Sequence, residues 1–163
     1  MPTIRLETFI DAPRDRVFDL ARSIDLHQSS TQQTHERAIA GRTSGLIQLG
    51  ETVTWRAKHF GIYQQLSVRI TAFDKPHMFA DKMLKGAFAS MEHIHLFEEE
   101  QTGTNMIDIF TFKAPLGILG LLAENLFLTT YMYNFLKKRN WEIKIIAEGH
   151  QWEQFLPPLS DTE

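Results

Sequence analysis

His93 and His95 sit two residues apart in an alternating segment, so both side chains leave the same face of one strand. Imidazoles spaced in this way can chelate a metal, or a nearby carboxylate can fix one tautomer and turn a histidine into a general base. Asp108 is the carboxylate in reach. Counting back from the turn near Gln101-Thr102 sets Phe97 opposite Met106 and His95 opposite Asp108, which makes them cross-strand neighbours on one face of an antiparallel pair. A slip of one residue would part them. Three chemistries share this geometry: a metal ligand set, an acid–base pair, and a polar pair that stiffens the sheet or orients a ligand. His95 and Asp108 are the candidate catalytic residues, and no metal or cofactor is assigned.

The histidine face also carries Met91, Phe97, Met106, Phe110 and Phe112, while Ile94, Leu96, Ile107 and Ile109 fall on the other. Aromatics and methionines suit an irregular, adaptable pocket wall, so the histidine face is expected to line a cavity. By the same alternation Trp55 shares a face with His59, and Phe79 with Asp81. Tyr131 can offer a hydroxyl from an otherwise apolar surface. The expected ligand-contacting residues are therefore Trp55, His59, Phe79, Asp81, Met91, His93, Phe97, Phe110, Phe112 and Tyr131. A buried Asp81 would need a partner such as His59 or Arg56, or would be protonated.

These side chains need strands to position them. Alternating runs at 4–10, 36–41, 52–59, 64–72, 79–84, 88–97 and 105–113 predict seven strands, and the short breaks between the last six favour antiparallel neighbours. Asp11-Ala12-Pro13 reads as a helix start, with Val17, Phe18, Leu20 and Ala21 as its apolar face and a second short turn at 24–27. The polar run Gln28–Thr34 has no periodicity and reads as loop. After Ala114-Pro115 comes one long, mostly apolar helix that reaches Lys144, with Lys137, Lys138, Arg139, Lys144 and Glu148 expected in water. Residues 150–163 are expected as a tail beyond a single domain of residues 1–149, with Trp152 and Phe155 able to dock it.

Composition narrows the possibilities. A net charge of −3 lacks the basic excess that nucleic acid requires. There is no cysteine, hence no disulfide and no thiol nucleophile, and the N-terminus lacks the pattern of a signal peptide, so a cytoplasmic location is expected. The stretch 114–136 holds only Glu124 as a charge and is long enough to span a bilayer, yet Gly117, Gly120, Asn125 and Asn134 interrupt it, and a buried helix explains it better. A homodimer or membrane-surface contact through Leu121, Leu128 and Met132 stays open. No nucleophile elbow, phosphate loop or dinucleotide fingerprint occurs.

The ordered series Ile10-Asp11-Ala12-Pro13, Val17-Phe18, Gly50 to Trp55, His59-Phe60-Gly61, Pro76, Phe79, Asp81, Gly86, His93 to Phe97, Gly103-Thr104, Asp108 and Pro115-Leu116-Gly117 resembles the START-like superfamily. That group includes polyketide cyclases and dehydrases, plant hormone receptors and birch-pollen-allergen-like proteins, and more narrowly the chain resembles its bacterial cyclase-like branch. The resemblance covers about residues 3–148. It implies an α+β helix-grip fold: a seven-stranded antiparallel curved sheet wrapped around a long C-terminal helix, with two short helices after the first strand and an elongated cavity between sheet and helix. It implies no particular reaction. The expected function is binding of a small hydrophobic or aromatic molecule, lipid or polyketide-like. The alternative is a cyclase or dehydratase in which a cavity histidine is the base.

Overall fold

The computed structural model describes residues 1–157; the last six residues of the expected tail lie outside that range. Seven strands build one antiparallel sheet: β1 (Thr3–Ile10), β2 (Arg37–Gly41), β3 (Thr52–His59), β4 (Ile62–Asp74), β5 (Met78–Lys85), β6 (Ser90–Glu99) and β7 (Thr104–Lys113). Their order is β1-β7-β6-β5-β4-β3-β2, so β2 to β7 form a meander and β1 closes on its last strand. The connections from β3 to β7 are two to four residues long, as antiparallel neighbours allow, while residues 42–51 join β2 to β3. In β6 the alternation is plain: Met91, His93, His95 and Phe97 are buried, whereas Glu92, Ile94 and Leu96 are half-buried on the opposite face.

Two short helices, α1 (Arg14–Ala21) and α2 (Ile24–Ser30), join β1 to β2. Pro13, not Asp11, occupies the N-cap position of α1 and makes no side-chain cap. The Asp11 backbone N–H instead donates to Glu148 Oε1 at 2.9 Å, which ties this corner to the end of the C-terminal helix. Ser23 caps α2 by accepting from the Leu26 N–H. The run Gln28–Thr34, expected as loop, is helical through Ser30 and then makes a 3-10 turn at Gln32–Thr34. Its hydroxyls explain why: Ser30 and Thr31 donate to the His27 carbonyl and Thr34 to the Thr31 carbonyl, so the polar side chains are satisfied inside the turn.

The C-terminal helix runs as α3 (Ile118–Ala123), a π-turn at Glu124–Leu128 and α4 (Thr129–Glu148). Met132, Leu136, Asn140, Ile143 and Ala147 recur at steps of three and four and form its buried face. Arg139, expected in water, is buried at 4% exposure and donates to the Ala21 carbonyl at the end of α1. A 3-10 turn at Gln151–Gln154 follows, and Arg16 lies over the Trp152 ring. Among the described residues no helix is long and apolar enough to cross a membrane.

The core between α1 and the sheet centres on Phe18, which is fully buried and meets Phe73, Phe79 and Phe97 edge-on at 5.4, 5.6 and 5.2 Å. Edge-to-face pairs of this kind add to plain area burial. Phe18→Ala is expected to cost about 3–5 kcal/mol in urea unfolding. A loss below about 1 kcal/mol would mean that α1 is not anchored there.

Candidate functional site

A cavity of about 400 Å3 lies between the inner face of the sheet and the C-terminal helix. Trp55, His59, Phe79, Asp81, Met91, His93, His95, Phe110 and Tyr131 all line it. Phe97 and Phe112, expected on the wall, are not on it. Phe97 is covered by Phe18 of α1, and Phe112 packs on Phe88 and Phe110, so both belong to the packed core at the margins of the cavity. Asp108 is wholly buried behind the histidines.

The register at this point is the expected one, with Phe97 opposite Met106 and His95 opposite Asp108; on the other side of β6, Asp81 of β5 faces His93. His93 Nε2 donates to Asp108 Oδ1 at 2.7 Å. His95 Nδ1 is 2.8 Å from the same oxygen but off the hydrogen-bond axis, so that contact is one of charge and proximity. On its other side His95 Nε2 is 3.5 Å from Asp81 Oδ2, which gives Asp81 a partner different from the His59 or Arg56 considered from the sequence. The second oxygen of Asp108 accepts from Asn140 Nδ2 at 2.7 Å, and Arg139 Nη1 is 3.7 Å from the first.

These contacts fix the charges. Burial alone would push the Asp108 carboxyl up, but the His93 hydrogen bond and the His95 contact outweigh it and hold Asp108 well below the usual carboxylate range. His93 is pushed down to about 4 by burial and by repulsion from His95, which Asp108 only partly offsets. His95 is also penalised by burial, but Asp108 and Asp81 flank it and raise it above the ordinary value. An ionised Asp108 therefore sits between a neutral His93 and a readily charged His95.

A second polar group lies toward the β3 edge. His27 of α2 stacks on Trp55 with ring centroids 4.2 Å apart, and its Nε2 is 3.3 Å from Glu36 Oε2. Both atoms are buried without an aligned hydrogen bond. Burial pushes the Glu36 carboxyl up, but His27, His59 and the Thr31 hydroxyl together hold Glu36 below its ordinary value. His59 Nδ1 is 2.7 Å from the Tyr131 hydroxyl, and burial lowers His59. Strands β4 and β5 separate this group from β6, roughly 14 Å of sheet at about 4.8 Å per strand. The intervening wall is largely apolar.

Sequence reasoning missed Arg139, Asn140, His27 and Glu36. Asn140 was detectable, because it falls in step with Leu136, Ile143 and Ala147 on the buried helix face. Arg139 carried no such signal, since a cation near the end of a helix is ordinarily solvated.

Comparison with solved structures places this architecture. A structure from Thermus thermophilus superposes with a TM-score of 0.71 at 19% identity, covering 90% of this chain and 99% of that one. One from Chromobacterium violaceum gives 0.69 at 12% identity, over 90% of this chain and 97% of that one. The ginseng major latex-like protein 151 from Panax ginseng gives 0.67 at 15% identity, over 91% and 98%. The chain has the START-like, birch-pollen-allergen-like helix-grip fold that the resemblance implied. No protein-family model and no curated protein sequence matches it.

The burial of a neutral His93 has a pH signature. Below about pH 6.5 the unfolded chain protonates this histidine while the native state resists until about pH 4, so stability falls as pH drops through that window. In His93→Gln the slope of stability against pH is expected to be shallower there by up to about 1.4 kcal/mol per pH unit. Equal slopes in urea titrations of both proteins would contradict a buried neutral His93.

Proposed function

We propose that the protein binds one small, mainly apolar molecule, lipid-like or polyketide-like, in the cavity between the sheet and the C-terminal helix. The observation that carries this reading is the cavity itself: about 400 Å3, walled by Trp55, Phe79, Met91 and Phe110, with polar groups gathered at separate places on its lining. Ligand pockets commonly have about 300–1,000 Å3, apolar walls and a few convergent polar groups that fix orientation. The two polar groups match a ligand with an apolar body and a hydrogen-bonding group toward each end. One end meets Asp81, His93 and His95; the other meets His59, Tyr131, His27 and Glu36.

A second reading, a cyclase or dehydratase, is favoured by one feature. His95 lines the cavity with Asp108 against Nδ1 and Asp81 against Nε2, the setting of a general base held by carboxylates. In its neutral form it would take a proton beside a carbonyl of the occupant, and the imidazolium so formed would face the enolate. Under this reading His95→Gln abolishes turnover and leaves affinity nearly intact.

Titration with the apolar fluorophore 1-anilinonaphthalene-8-sulfonate tests the binding reading. Saturable binding of one molecule per chain is expected, weakened at least about tenfold in Met91→Trp, which fills the cavity. The variant's thermal melt serves as the folding control. Absence of saturable binding, or equal affinity in a folded Met91→Trp, would count against an internal site.

A further inference from the structure

The polar end of the cavity at β6 gathers a carboxylate and two imidazoles at the spacing of metal ligands. We propose that Asp81, His93 and His95 bind a single divalent first-row transition-metal ion of the zinc or ferrous type. One donor atom from each of the three lies within 4.8 Å of the others. Donors around such an ion sit about 2.0–2.2 Å from it, so the 3.5 Å between His95 Nε2 and Asp81 Oδ2 already matches two ligands of one centre. Two imidazoles and one carboxylate are a donor set that suits these metals and leaves coordination positions open. Those positions face the cavity, because all three residues line it.

Asp108 supplies the second, independent observation. Histidines that ligate metals almost always turn their other ring nitrogen to a carboxylate or carbonyl, which fixes the tautomer and raises ligand basicity. Here Asp108 Oδ1 accepts from His93 Nε2 and touches His95 Nδ1. The nitrogens left to a cation are therefore His93 Nδ1 and His95 Nε2. Asp108 is held in turn by Asn140. The two carboxylates, Asp81 and Asp108, supply the negative charge that a dication needs, against which stands the Arg139 guanidinium 3.7 Å from Asp108. Bound there, the metal would present a Lewis-acidic site to an oxygen of the cavity's occupant.

The test needs no organic ligand, so its outcome is separate from that of the binding reading. Protein stripped with EDTA is titrated with Co2+, followed by visible absorption, and then with Zn2+ in competition. One Co2+ per chain is expected, displaced by Zn2+, with affinity reduced at least about tenfold in Asp81→Asn and in His95→Gln and about 10–100-fold in Asp108→Asn. Asp81 is partly exposed, so Asp81→Asn is the variant that keeps the fold, and a thermal melt without metal verifies it. Lack of saturable binding by the wild type at millimolar metal overturns the proposal, as does saturable binding that a folded Asp81→Asn leaves unchanged.

Discussion

A carboxylate with no exposure to water must find all its compensation inside the protein, and Asp108 does so from four side chains on two elements. It sits on β7, receives a hydrogen bond from His93 of β6 and one from Asn140 of α4, and has His95 and Arg139 as further neighbours. Asn140 also reaches Thr8 of β1 at 3.3 Å, while Arg139 holds the last carbonyl of α1. The rotation of α4, the register of β6 on β7 and the seat of α1 are therefore tied to one charge. Removing a single partner leaves that charge exposed to an apolar interior, which is far costlier than never having buried the group.

The same arrangement separates the cavity into ends of different character. At the β6 end the side chains are locked by Asp108 and one another, so few rotamers are open to them. Toward α3 the wall thins: Leu119 and Phe127 line the cavity and are also largely or half exposed, and Leu116, Ile118 and Leu126 beside them face solvent. The π-turn at Glu124 lies in this stretch, with the buried Glu124 carboxylate accepting from the Ala114 N–H at the strand–helix junction. An apolar segment backed by a cavity and not by packed core has little holding it inward, and such regions open at low free-energy cost. The β6 end is thus held by buried polar contacts, whereas the α3 stretch of the wall is apolar and partly faces solvent.

What could be read from the chain, and what could not, follows from the range of each interaction. The His95–Asp108 pairing was legible because a short turn fixes register within a dozen residues, and period-two burial then decides the face. The fold was legible from the order of strands and one long helix. Phe97 and Phe112 share the histidine face in sequence, yet α1 covers one and Phe88 the other; alternation gives the side of a sheet and says nothing of what lies above it. Arg139 was read as solvated because its partners, Asp108 and Ala21, are 31 and 118 positions away. The helical turn at Ser30–Thr34 hid behind residues whose hydroxyls ordinarily favour loops and here close back on the helix.

The protonation of the two histidines is the most direct reading of this buried charge. Long-range 15N–1H NMR of the metal-free protein at about pH 6 distinguishes neutral tautomers from imidazolium. His93 is expected neutral with its proton on Nε2, donating to Asp108, and His95 doubly protonated between Asp108 and Asp81. A charged His93, or a His93 proton on Nδ1, would mean that Asp108 is not the ionised acceptor on which the cavity's polar end is built.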